Sequence, residues 1–168
     1  MCIRDRVRSL RVENDTDPSG ARVVVLGAGG AARSVIEALG RAGAADVVVV
    51  NRTQARAESA AALAGPVGRV GSVDAIGEAD IVINATSVGM DGVSSPSPGG
   101  SFAASQTVVD LIYRPLLTPW LTAARDVGAN AVNGVGMLLH QAAIQLELWT
   151  GIDAPIDAMR DSVADVIG

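Results

Sequence analysis

Two short stretches carry residue types able to bind a charged ligand. "GAGGAA", residues 27–32, fits G-x-G-x-x-A at the end of an apolar run and the start of a helical pattern. In that spacing Gly27 permits a tight turn, Gly29 lets a pyrophosphate approach the backbone, and the small Ala32 lets helix and strand pack closely. Unpaired N–H groups and the dipole of the helix that starts here then face the phosphates. The second stretch is "NRTQAR", residues 51–56, after the next apolar run. A carboxylate there would hold the 2′-hydroxyl of NAD and repel a phosphate. Asn51 and Arg52 stand there instead, and an arginine fork accommodates the 2′-phosphate of NADP. Arg56 can join from the first turn of the following helix, and Thr53 can cap that helix while donating to the phosphate. The competing reading is a ligand-free glycine turn with two solvated surface arginines.

Other candidates are less specific. Asn84, Thr86 and Ser87 follow an apolar run, where side chains reach a ligand crevice; they can orient a ribose or nicotinamide, or satisfy loop backbone. Thr86 is kept among the cofactor-binding candidates. Tyr113, the one tyrosine, can offer its hydroxyl to a substrate or to the backbone. Met137, Gln141, Ile144 and Leu148 share a helical face, which makes Gln141 a ligand contact or a core-edge polar residue. His140 reads as structural, because no carboxylate sits at a spacing that would orient it.

These residues need a scaffold, and the chain alternates strand and helix patterns. Strands are expected in "ARVVVLG", "DVVVVN", "VGRV", "ADIVINATS", "TVVDLIY" and "NAVNG". Helices are expected over residues 31–41, with Gly40 or Gly43 near the stop, and over 55–64, closed by Gly65-Pro66. A short helix follows Ser72, another follows the Thr118-Pro119 start signal, and two more fill the C-terminal part, the first over 135–149. The last is amphipathic, with Ile156, Met159, Val163 and Val166 on one side. Continuous apolar strands joined by helices predict one α/β domain, a doubly wound parallel sheet of Rossmann type with C-terminal helices. Ligands of such sheets bind beyond the carboxyl ends of the strands.

Composition narrows the function. A net charge of −5 and few aromatic residues argue against nucleic acid. No apolar run approaches the roughly 20 residues of a membrane span. One cysteine and one histidine cannot build a metal cluster, and the lone cysteine fits a reducing cytoplasm. All thirteen basic residues are arginine, so this polypeptide holds no lysine for proton transfer or Schiff-base chemistry. "MCIRDR", residues 1–6, is expected to be the translation of a transposon-end sequencing adapter rather than part of the gene.

Together, "VLGAGGAAR", "NRTQAR", "INATSVGM", "VVDLIYRPLLTPWL" and "NGVGMLLHQAAIQLELWTG" resemble the nicotinamide-nucleotide domain of shikimate dehydrogenases, in order and spacing, from about Val7 onward. The resemblance implies reversible hydride transfer between NADPH and the ketone of 3-dehydroshikimate, on the route to aromatic amino acids in the cytoplasm. It places the pyrophosphate on Gly27, Ala28, Gly29, Gly30 and Ala31, and the 2′-phosphate on Asn51, Arg52, Thr53 and Arg56. It makes Leu111 and Gly134 backbone contacts of the cofactor, and Tyr113 and Gln141 contacts of the substrate.

The chain also departs from the family. The family's substrate domain, with its S-x-S-x-S-like motif, catalytic lysine and N-T-D-G-x-G aspartate, has no counterpart here, so no catalytic residue is assigned within this chain. "NDTD", residues 14–17, lies too close to Gly27 to be that motif, and "VRSLR", residues 7–11, reads as the remnant of the connecting helix. The expectation is an NADP-binding fragment without activity, whose full gene encodes N-T-D-G-x-G just before Val7. Its exposed cleft favours self-association, with a homodimer as one form. A quinate/shikimate relative and a stand-alone NADP-binding module are the alternatives.

Overall fold

The computed structural model describes residues 10–11, 14–97 and 102–167, with side chains to residue 163. Residues 1–6 and most of "VRSLR" lie outside these, as do residues 98–101; Leu10, Arg11 and Asn14 are helical. Six strands form one parallel sheet: β1 Arg22–Leu26, β2 Asp46–Val50, β3 Gly68–Val70, β4 Ile81–Asn84, β5 Thr107–Asp110 and β6 Asn130–Val132. Their order is β3-β2-β1-β4-β5-β6. The chain thus winds outward in both directions from β1 and β4, and the crevice between those strands is the topological switch point. The doubly wound α/β sheet expected from the alternating pattern is the one observed.

Alternation along the strands divides the core between the two faces. Val23, Val25, Val47, Val49, Ile81 and Ile83 pack with Val35, Ile36 and Leu39 of α1 (Gly30–Arg41) and Ala57 and Ala60 of α2 (Gln54–Ala61). Val24, Leu26, Val48, Val82 and Val108 face the other way, against Ile76 and the Trp120, Leu121 and Ala124 of α3 (Pro119–Asp126). Trp120 is fully buried, meets Phe102 edge-on at 5.4 Å, and donates from Nε1 to Ser97 Oγ at 3.1 Å. Thr118 caps α3 by accepting from the Leu121 N–H at 3.3 Å, with Pro119 in the first turn, as the sequence signal requires.

Three details sharpen the sequence expectation. Gly43, at φ +84, follows the Ala42 C-cap of α1, while Gly40 lies inside the helix, where a Cβ would come within 2.7 Å of the Ala64 oxygen. One glycine ends the helix and the other admits a close neighbour. The second helix stops at Ala61 and continues as a 3-10 segment, Ala62–Val67, because Gly65 at φ +67 and Pro66 break the α-helical ladder. The helix after Ser72 is likewise 3-10, Val73–Glu78.

The C-terminal helices are α4, Val135–Thr150, and α5, Ile156–Ile167. α4 buries Leu139, His140 and Ala143, so His140 is a core residue, whereas Leu148 is 74% exposed and Trp149 80%. The expected stripe ending in Leu148 therefore leaves the protein surface before its last turn. Ile156, Met159 and Val163 of α5 are half-buried, as their shared face predicts. Among the described residues no helix is long and apolar enough to cross a membrane.

Candidate functional site

The register sets the carboxyl ends of the central strands level. Leu26 of β1 lies beside Val50 of β2 and Asn84 of β4, and Asn84 lies beside Asp110 of β5. The segments leaving these strands open on one rim, where two clefts meet. The larger, about 950 Å³, is lined by Gly29, Gly30, Ala31, Thr86, Leu111 and Tyr113, with Met90, Asp91 and Arg114 at its side. The smaller, about 540 Å³, is lined by Gly27, Ala28, Asn51, Arg52 and Thr86. Gly29, Ala85, Thr86 and Ser87 border both. A ligand with two ends and a charged middle fits this outline, with its middle over the glycine turn.

The glycines of that turn serve different needs. Gly27 has φ +109, and a Cβ on it would sit 3.0 Å from the Ala85 oxygen, so both backbone strain and packing call for glycine. Gly29 is the N-cap of α1 at φ −78 and ψ −175, which any residue adopts, and a Cβ on Gly29 or Gly30 would meet no heavy atom within 4 Å. Nothing in the protein's own packing excludes a side chain there. What the two glycines keep clear is the strip between the clefts, where free N–H groups at the start of α1 can meet an anion.

The smaller cleft ends at the β2–α2 turn. Asn51 is half-buried, and its Nδ2 donates to the Thr53 carbonyl at 3.0 Å. Thr53 occupies the N-cap of α2 without a capping side-chain bond, contrary to its expected role. Its carbonyl holds the turn instead, accepting from Asn51 and from the Arg56 and Ala57 N–H groups at 3.1 Å. Arg52 and Arg56 are exposed. Among the described residues, Arg11, Arg22, Arg41, Arg69 and Arg160 are ion-paired, and Arg52 and Arg56 are not.

A buried polar network forms the wall between the clefts. Asn84 and Asp110, both fully buried, meet side by side, with Asn84 Nδ2 donating to Asp110 Oδ1 at 3.0 Å. Asn84 also donates to the Val88 carbonyl at 3.1 Å and accepts from the Thr86 N–H and hydroxyl at 3.0 and 2.7 Å. Asp110 accepts from the Ile112 N–H at 3.1 Å and, through Oδ2, from the buried Thr118 hydroxyl at 2.8 Å. Burial pushes the Asp110 carboxyl above its usual range, against the opposing pull of the bonds from Ile112, Thr118 and Asn84. Of the two roles open to Asn84, the structure shows it holding loop backbone, through the Val88 carbonyl and the Thr86 N–H. Thr86 is bound to Asn84, accepts from the Val88 N–H at 3.1 Å, and borders both clefts.

Asp110 and the second role of Thr118 escape a reading that treats one as a strand residue and the other as a cap. An acid ending a buried strand eight residues before a capping threonine is the signal that could have paired them. Asp91, in the loop beside Met90, carries no such signal in the sequence. Hydrogen bonds from the Ser94 hydroxyl and N–H and from the Val93 N–H lower its carboxyl to about 2, so it stays charged at the rim of the larger cleft.

Tyr113 is 45% exposed on the wall of the larger cleft, beside half-buried Leu111. Gly134 is not among the lining residues of either cleft. A Cβ there would overlap the Leu111 carbonyl, and its N–H donates to the Ile112 oxygen at 3.0 Å, so it presses the β6–α4 turn against the cleft wall from behind. Gln141 is half-buried on α4 and lines neither cleft.

Comparison with known proteins matches two family profiles in order along the chain. "Shikimate / quinate 5-dehydrogenase" covers residues 11–92, and "Shikimate 5'-dehydrogenase C-terminal domain" covers residues 134–164. The chain belongs to the shikimate dehydrogenase family. A curated family member, the shikimate dehydrogenase (NADP(+)) of Moorella thermoacetica, is 43% identical over 96% of this chain. The chain spans 59% of that relative's length. Among solved family structures, the Thermus thermophilus shikimate 5-dehydrogenase in complex with NADP(H) and shikimate is 35% identical, with a TM-score of 0.83 over 96% of this chain and 62% of its own. The Corynebacterium glutamicum quinate dehydrogenase in complex with NAD is 26% identical, with a TM-score of 0.88 over 97% of this chain and 61% of its own.

Proposed function

We propose that the chain is the nucleotide-binding portion of an NADP-dependent shikimate dehydrogenase, and that alone it binds NADP without catalysing. The carrying observation is the uncommitted guanidinium group of Arg52 at the end of a cleft that runs over the bare glycine turn, with a second uncommitted arginine, Arg56, on the first turn of α2 four residues on. Arginine binds a phosphate dianion through charge-assisted, forked hydrogen bonds, which the 2′-hydroxyl of NAD cannot match. Gly27 to Ala31 would receive the pyrophosphate, Asn51 and Thr53 the adenosine ribose and its phosphate. Thr86, Leu111 and, through Leu111, Gly134 would shape the space for the nicotinamide.

The bound cofactor supplies or accepts the hydride. This chain's residues orient and shield: Leu111 and Met90 offer apolar surface in the larger cleft, and Tyr113 presents a phenol at its mouth. Tyr113 and Gln141 would touch shikimate or 3-dehydroshikimate once a substrate domain closes over the cleft. Proton transfer by a lysine falls to that domain, because this chain has none. Met1 to Arg6 would be foreign to the gene, the remaining residues one NADP-binding unit of a cytoplasmic enzyme, and the cleft, left uncovered in this chain alone, a surface for self-association.

The test is an assay of NADPH absorbance with the polypeptide encoded by the intact locus and with this chain alone. Shikimate-dependent reduction of NADP by the first and none by the second is expected. Turnover by this chain alone, or an intact product that reduces NAD with quinate and ignores shikimate, would refute the reading.

A further inference from the structure

Arg33 lies on α1 one turn past the glycine strip, and its Nη1 donates to Ser59 Oγ on α2 at 3.0 Å. Ser59 follows Arg56 by three residues, so the two are neighbours on one face of α2, with Cβ atoms roughly 5–6 Å apart. The hydrogen bond therefore carries the Arg33 guanidinium across from α1 to the face of α2 on which Arg56 also stands. Two cations side by side repel one another, and a nearby carboxylate would ordinarily relieve them.

Each helix contains a single acid, and each is engaged elsewhere. Glu37 stands four residues from Arg33 but is paired with Arg41 at 2.9 Å. Glu58 accepts from Gln54 Nε2 at 3.0 Å, and its position, adjacent to Ser59 and two from Arg56, puts it on a different face of α2. Arg33, Arg52 and Arg56 come from three places in the fold, and none is among the ion-paired arginines of the described residues.

We propose that Arg33, held by Ser59, is a third cation of the 2′-phosphate site and a determinant of NADP over NAD selection. The inference rests on the NADP reading above. Ser59 is a positioning residue: it touches no ligand and fixes the cation that does.

The experiment is calorimetric titration of the chain with NADP⁺ and NAD⁺ for wild type, Arg33→Met, Ser59→Ala and Arg52→Met, with each fold checked by circular dichroism. Arg33→Met should weaken NADP⁺ about tenfold, the loss of one charge-assisted bond, and change NAD⁺ less than about twofold. Ser59→Ala should shift the ratio in the same direction by about threefold, since it frees the cation without removing it. Equal weakening of both nucleotides would make Arg33 a backbone or pyrophosphate support and overturn the proposal. If Arg33→Met does not fold, Ser59→Ala decides, and an unchanged ratio overturns it. A preference erased by Arg52→Met yet untouched by the other two sinks only this inference; no preference in the wild type sinks the NADP reading with it.

Discussion

The two walls of the cleft solve opposite problems. At the β2–α2 turn, cations stand in solvent with no protein partner, so the surface is incomplete until an anion arrives. At the ends of β4 and β5, Asn84, Asp110 and Thr118 are buried and bonded to one another and to the loops they hold. The first wall recognises through charge it has not neutralised. The second contributes shape, because a satisfied polar network in a low-dielectric interior has one arrangement and resists others. Removing a group from the second should therefore cost stability, and removing one from the first should cost only affinity.

The largest effect that would break this contrast is at Asn84. Asn84→Ala strands the Thr86 N–H and hydroxyl and one side of Asp110, and should lower unfolding free energy by about 2–4 kcal/mol in urea titrations. A loss below about 0.5 kcal/mol would show that the wall is not held this way. Arg52→Met with Arg56→Met should leave the urea midpoint in place while weakening NADP⁺ by about 1.5–3 kcal/mol per arginine that bonds the phosphate, with NAD⁺ nearly unchanged. A fall in stability would make these arginines structural and erase the distinction.

Gly29→Ala sharpens the comparison at the border of both clefts. A Cβ there meets no protein atom, so stability should fall by no more than about 1 kcal/mol, the cost of a poorer N-cap, while NADP⁺ and NAD⁺ affinity fall together because both place a pyrophosphate on that strip. Parallel melting curves and ligand titrations would read the two effects separately.

The smallest effect is a slope with pH. Burial raises the Asp110 carboxyl in the folded state, so between its unfolded value near about 3.9 and the raised value the native protein holds more protons. Stability contributed by this group therefore falls as pH rises through that window and levels off above the raised value. Asp110→Asn can keep the bonds from Asn84 and Ile112 while shedding the charge. In urea midpoints measured upward from about pH 4, it should flatten that fall.

Much of this was legible in the chain because the signals are local. Four consecutive valines before Asn51, the glycine spacing, and Thr118-Pro119 each follow from short-range sterics and hydrogen bonding, and the parallel, doubly wound sheet follows from the alternation of strand and helix. What stayed hidden depends on contacts between distant segments. Asp110 and Asn84 are 26 residues apart, and only the parallel register brings them together. Gly134 looks like a helix-start glycine until the Leu111 carbonyl is seen against it. Thr53 carries a capping signal, but Asn51 reaches its carbonyl and the turn closes without its hydroxyl.

The most direct test of the central claim is a paired titration of this chain with NADP⁺ and NAD⁺ at one ionic strength, repeated with 2′-phosphorylated adenosine fragments. Uncommitted arginines at the adenosine end predict at least about tenfold tighter binding of NADP⁺ and measurable binding of the 2′-phosphorylated fragment. Equal affinity for the two dinucleotides, with no response to the fragment, would contradict it.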